Sequence, residues 1–149
     1  MQTAAALETF ELDGERFVRP DFGGRGLANI APTVLRVLAP GADTTPALPP
    51  LSADVLPEWL TTGVRHVVLL MADGLGHLQL LREIERGNAP KLRELLQRAD
   101  AGDERVSYQP ITSVFPTTTV SALGSVNSAV TPAEHGLLSY TIYVPELDM

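Results

Sequence analysis

Six consecutive apolar residues, VVLLMA at 67–72, constrain this chain more than any other feature. A strand with one wet face alternates apolar and polar side chains. An unbroken apolar run fits a strand covered on both faces, as in a parallel sheet. Asp73 ends the run, and Gly74 and Gly76 let the chain turn sharply into the next segment. There Leu75, Leu78, Leu81 and Ile84 recur at helical spacing, which predicts a helix covering the sheet. Pro90 starts another predicted helix, with Leu92, Leu95 and Leu96 buried and Lys91, Arg93, Glu94 and Arg98 solvated. After a turn at 101–104, residues 105–115 lead back into the sheet.

The stretch ITSVFPTTTVSALGSVNSAVTPAEHG at 111–136 repeats the same grammar. A short apolar strand at 111–115 is closed by Pro116, which lacks an N–H. A helix follows, with Val120, Leu123 and Val126 on one face. The threonines 117–119 fall at its mouth, where unpaired N–H groups and the positive dipole end collect. Thr117 or Thr118 as a plain helix cap is one reading, and a hydroxyl that meets an anion is the other. Thr131, Pro132 and Glu134 match a capping box for a further short helix, so Glu134 reads as structural. Residues 140–144 have strand character. The alternation predicts an α/β fold with a mostly parallel sheet flanked by helices. In such sheets ligands sit beyond the carboxyl ends of strands, so Asp73 and the threonine turn are expected to converge on one site. A carboxylate facing a hydroxyl at a helix mouth suits metal-assisted attack on phosphorus.

The N-terminal part is less informative. Residues 9–20 alternate charged and apolar side chains and predict a peripheral strand. GGRGLANIAPTVLRVLA at 23–39 predicts a helix, with Arg25 and Asn29 read as turn and cap residues and anion contact as their alternative. The Pro-rich stretch 40–54 is a loop, followed by a short helix near 57–60 with Trp59 as a core anchor. A chain of 149 residues with 44% hydrophobic content can bury one ordinary core. Its net charge of −7 argues against non-specific nucleic-acid binding, which needs a basic patch. Bound cations would still let such a chain hold a phosphate ester. Cysteine is absent, which excludes disulfides and thiolate metal ligands. Residues 1–6 lack the basic and apolar regions of a secretory signal, and no apolar run approaches the roughly 18 residues of a membrane span. Cytoplasmic residence is the default expectation. Of the histidines, His66 reads as a rim residue and His77 as a solvent-facing helix residue near Asp73. His135 reads as a loop-fixing residue, with substrate contact as its alternative.

MADGLG and FPTTTVSAL, followed by TPAEHGLLSYTIY, together resemble the type I phosphodiesterase/nucleotide pyrophosphatase family of the alkaline phosphatase superfamily. The resemblance covers roughly residues 64–144. It implies an alkaline-phosphatase-like core with two divalent metal ions, zinc by family habit. Asp73 is then a metal ligand, and Thr119 is both the nucleophile and a metal contact. Small phosphate-ester or nucleotide substrates are implied as well. In two places the chain departs from the family pattern. Ser128-Ala129 stand where members often have Thr-Gly. Tyr140 stands where nucleotide pyrophosphatases place an Asn that helps hold the phosphoryl oxygen. Tyr140 and His135 are the remaining substrate-side candidates. The family's other ligands, two Asp and three His, lie further downstream. The expected organisation is therefore an arm, helix and Pro-rich connection at 1–63 and the N-terminal part of the core at 64–149.

Two other classes compete. A nucleotide-binding module is faintly suggested by G-L-G after a strand, but Gln79 fills the third glycine's place and Asp73 would oppose a pyrophosphate. A non-catalytic α/β fragment is the expectation for these 149 residues unaided, and the phosphoesterase is the expectation for their ancestry.

Overall fold

The segment expected as one peripheral strand folds as a hairpin, β1 (Thr9–Leu12) pairing antiparallel with β2 (Glu15–Val18). The signal is Asp13-Gly14, whose φ angles of 52° and 81° suit the tight turn that right-twisted strands favour. Phe10 and Phe17 stack at 5.7 Å, and both meet Phe115 edge-on at 5.2 and 5.5 Å. The hairpin thus hangs on the residue before Pro116. The computed structural model describes residues 8–43 and 45–145, so the expectations placed on residues 1–6 and on the chain beyond 145 lie outside it.

The predicted helix at 23–39 starts later than expected, with a 3-10 turn at Leu27–Asn29 leading into α1 (Ile30–Leu38). Asn29 is the reason. Its Oδ1 accepts from Gly26 N at 3.0 Å, and its Nδ2 donates to the carbonyls of Phe22 and Pro49 at 2.9 and 2.8 Å. Gly26 has to be glycine, because a Cβ there would lie 2.0 Å from the Asp21 carbonyl. Arg25 pairs with Asp54, so both residues serve the turn rather than an anion. Thr33 Oγ1 accepts from Leu51 N at 2.7 Å, which ties the Pro-rich loop to α1.

Further along come α2 (His77–Glu85), α3 (Pro90–Asp100), α4 (Thr119–Ser128) and α5 (Pro132–His135). Ile84 on α2 is buried, whereas Leu92 and Leu95 on α3 remain exposed. Trp59 is 50% exposed and is no core anchor. It sits on the 3-10 turn Glu58–Leu60, after which the Thr61 and Thr62 hydroxyls bond Glu58 O. The core is small: Ala28, Val55, Ile84, Val114 and Val126.

Among the described residues these five α-helices and one two-stranded antiparallel sheet make a small α/β arrangement. The parallel sheet expected from 67–72, 111–115 and 140–144 is not formed by them. Its one trace is the parallel bridge Gly26–Thr112. Val68 and Leu70 are 83% and 89% exposed, and the 140–143 side chains are exposed too. A strand of continuous apolar side chains is stable only with hydrogen-bonded neighbours and cover on both faces. The described residues supply neither to 67–72. No described helix is long and apolar enough to cross a membrane.

Asn29→Ala should cost about 2–4 kcal/mol, because it strands the buried Gly26 N–H and breaks the part-buried bonds to the Phe22 and Pro49 carbonyls. Urea denaturation measures this, and a loss under about 0.5 kcal/mol, the scale of a bland surface change, would contradict the assigned role.

Candidate active site

Asp73 and Thr119, 46 residues apart, meet. Thr119 Oγ1 lies 3.4 Å from Asp73 Oδ1 and 3.3 Å from Oδ2. Asp73 follows the apolar run and precedes the sharp turn at Gly74, whose φ is 68°. Thr119 is the first residue of α4, reached through the cis Phe115–Pro116 peptide.

The threonines divide the work at the helix mouth. Thr118 is the N-cap: its Oγ1 accepts from Ser121 N at 3.2 Å and donates to the Leu138 carbonyl at 2.9 Å. Thr117 is exposed. With the cap supplied by Thr118, the Thr119 hydroxyl is released to face Asp73. Its N–H and that of Val120 lack a helical acceptor, as first-turn groups do, and point out of the helix start.

The 3.3 and 3.4 Å separations exceed a relaxed O–H···O bond. They match the edge of a tetrahedron whose metal–oxygen bonds are about 2.0–2.2 Å, roughly 3.3–3.6 Å. Two hard oxygens at this spacing fit part of one ion's shell. They do not complete it, since no group of three or more His, Cys, Asp or Glu among the described residues could hold a metal.

The histidines take other roles. His66 is exposed, as expected of a rim residue. His77 is not solvent-facing: its Nδ1 lies 2.8 Å from the Tyr108 hydroxyl and the rings tilt together at 5.8 Å. Burial pushes the Tyr108 phenol up, so it keeps its proton for that bond. The sequence pattern misses this because Tyr108 is 31 residues away on an irregular segment. His135 Nδ1 accepts from Leu137 N at 2.9 Å, so the ring proton sits on Nε2, 3.0 Å from Ser125 Oγ. A ring that donates to a serine cannot take its proton, which excludes this pair as nucleophile and base. Tyr140 is exposed and has no bond to Asp73 or Thr119. A groove of about 400 Å³ between Phe10, Arg19 and Pro132 includes neither Asp73 nor Thr119.

Residues 67–149 match the family model described as type I phosphodiesterase / nucleotide pyrophosphatase. No curated protein and no solved structure matches the chain.

The capping box of α5 has a pH signature. Glu134 Oε2 accepts from Thr131 N and Oγ1, both at 2.7 Å, and first the backbone bond and then the hydroxyl hold its carboxyl below the ordinary range. A carboxylate with a lowered folded-state pKa stabilises above its unfolded value near 4.5 and loses this as pH falls through the folded value. Glu134→Gln should therefore melt below the parent at neutral pH, and the gap should close in acid. Melting curves across that range check it, and a gap that widens in acid would refute the assignment.

Proposed function

The chain belongs to the type I phosphodiesterase/nucleotide pyrophosphatase family, and from that membership we propose that it hydrolyses phosphodiester or nucleotide pyrophosphate bonds with Thr119 as nucleophile. The observation that carries this reading is the Thr119–Asp73 approach at 3.3 Å. It joins the matched segment's start to its central helix mouth, where a phosphoryl group has both a hydroxyl and free N–H groups to meet.

Thr119 Oγ1 forms the new bond to phosphorus as its proton passes to solvent and the bond to the leaving alkoxide or phosphate breaks, the leaving oxygen taking its proton from water. The resulting phosphothreonine ester is then cleaved by water, which returns the hydroxyl. Asp73 faces the hydroxyl and orients its lone pairs away from the carboxylate, towards the substrate. The Thr119 and Val120 N–H groups bind a phosphoryl oxygen at the positive end of α4. Asp73 and Thr119 would hold one of two divalent ions, with zinc as the proposed metal. Such an ion would lower the hydroxyl's pKa and offset charge on the phosphoryl oxygens. It also answers the net charge of −7, which otherwise repels an anionic substrate. Asp73 and Thr119 alone do not fill such an ion's shell, so turnover would depend on further ligands. Tyr140, in the position of the family's phosphate-holding Asn, leaves the choice between phosphodiester and nucleotide pyrophosphate to the substrate panel of the test.

In the metal-loaded protein Thr119→Ala should lower kcat by about 10³-fold or more, Thr119→Ser should keep part of it, and Thr118→Ala should cost within about tenfold. A dead Thr118→Ala beside an active Thr119→Ala would move the nucleophile by one residue.

Asp73→Asn keeps shape and removes charge, so zinc uptake should fall while the melting curve changes little. If Asp73 only started the next turn, uptake would be unchanged and stability alone would drop, by about 1 kcal/mol. Metal analysis beside the melting curve separates the two.

A further inference from the structure

We propose that His135 is a positioning residue for Thr119, acting through the 137–138 main chain and the Thr118 cap. The inference rests on Thr119 being the reactive hydroxyl. His135 Nδ1 holds the Leu137 N–H at 2.9 Å, and its Nε2 meets Ser125 Oγ on α4 at 3.0 Å. The ring therefore fastens the chain leaving α5 to the side of α4. The next residue, Leu138, offers its carbonyl to Thr118 Oγ1 at 2.9 Å.

That bond decides how the cap works. A hydroxyl has one proton and two lone pairs. With the proton directed at Leu138, a lone pair is turned to Ser121 N at 3.2 Å, which is the capping bond of α4. Thr118 is extended, at φ −80° and ψ 150°, and the next residue is Thr119 at the helix start. Any swing of Thr118 shifts Thr119 against Asp73. The path is thus His135 to Leu137, Leu138 to Thr118, and Thr118 to the first turn of α4.

Gly124 shows that the ring's seat is built into the helix. A Cβ at this position would lie 2.9 Å from His135 Cε1, 3.0 Å from Nε2 and 3.2 Å from Nδ1. Glycine weakens a helix interior, and here its missing side chain is the space the imidazole fills. A methyl group would force the ring to shift from the place in which it makes both of its bonds.

Amide hydrogen exchange by NMR on the full chain tests the relay without needing turnover. In His135→Ala the Leu137 and Ser121 amides should exchange about tenfold faster, the scale of a lost helix cap. Arg93, bonded to Ala89 O at 3.0 Å in α3, should not change. His135→Asn, whose amide oxygen can take the place of Nδ1, should restore Ser121. Gly124→Ala should reproduce His135→Ala although alanine ordinarily strengthens a helix, and it carries the test if His135→Ala does not fold. Thr118→Val should free Ser121 and leave Leu137 protected, which fixes the order of the relay. Ser121 protection that ignores His135 and Gly124 would overturn the proposal, as would uniform acceleration that includes Arg93. The nucleophile reading fails separately, by turnover surviving Thr119→Ala, and that failure leaves the exchange pattern standing.

Discussion

The structure depends on one long closure, made at Thr112. Its N–H bonds Arg25 O and its carbonyl bonds Leu27 N, both at 2.9 Å, while its hydroxyl takes Asp21 N at 2.8 Å across 91 positions of sequence. The entropy of closing a loop grows only with the logarithm of its length, so three bonds at one residue suffice to offset much of it. The consequences of that closure are local. The 3-10 turn at Leu27–Asn29 is brought against α4, Val114 is buried two residues beyond the bridge, and Phe115 presents its ring to both hairpin phenylalanines. The helix mouth is therefore fixed by residues far outside the threonine run that forms it.

At that mouth three adjacent threonines have three fates, and hydrogen-bond capacity explains the division. The N-cap position needs an acceptor for the Ser121 N–H and has the Leu138 carbonyl within reach, so Thr118 uses both its lone pair and its proton on main chain. Thr119, already inside the helix, has no such main-chain task, and its side chain projects to Asp73. Thr117 precedes the cap and is left in solvent. One hydroxyl is consumed in holding the helix, and its neighbour is left to face Asp73.

The helices and the site pair are legible in the sequence, and the sheet is not. Leucine spacing places α2 and α3, the Thr-Pro-x-Glu pattern places α5, and the ends of two apolar segments place Asp73 and Thr119 together. Each of these rests on short-range physics. The strand expected at 67–72 rests on composition alone, and composition says only what a strand would need around it. The hairpin turn is written in Asp13-Gly14, but charged residues on both sides obscure the pairing. The His77–Tyr108 contact and the seat of His135 on Gly124 depend on tertiary approach, for which no spacing rule exists.

The two halves of the site are held very unequally. Thr119 is fixed by a capped helix, a bonded loop and a buried small-residue face at Ser121 and Ser125. Asp73 is carried on an apolar segment with no ladder partner among the described residues and with most of its side chains in water. Its hold on Thr119 is one hydroxyl proton shared over long distances between its two oxygens at the solvent edge, worth little against the freedom of an unpaired main chain. Pre-organisation at this site is therefore limited by the carboxylate and not by the Thr119 hydroxyl. Anything that gives the 67–72 run neighbours on its edges and faces orders Asp73 as well. Order in the 67–72 run and order at the pair are coupled, because Asp73 directly follows the run and is one of the two residues that meet.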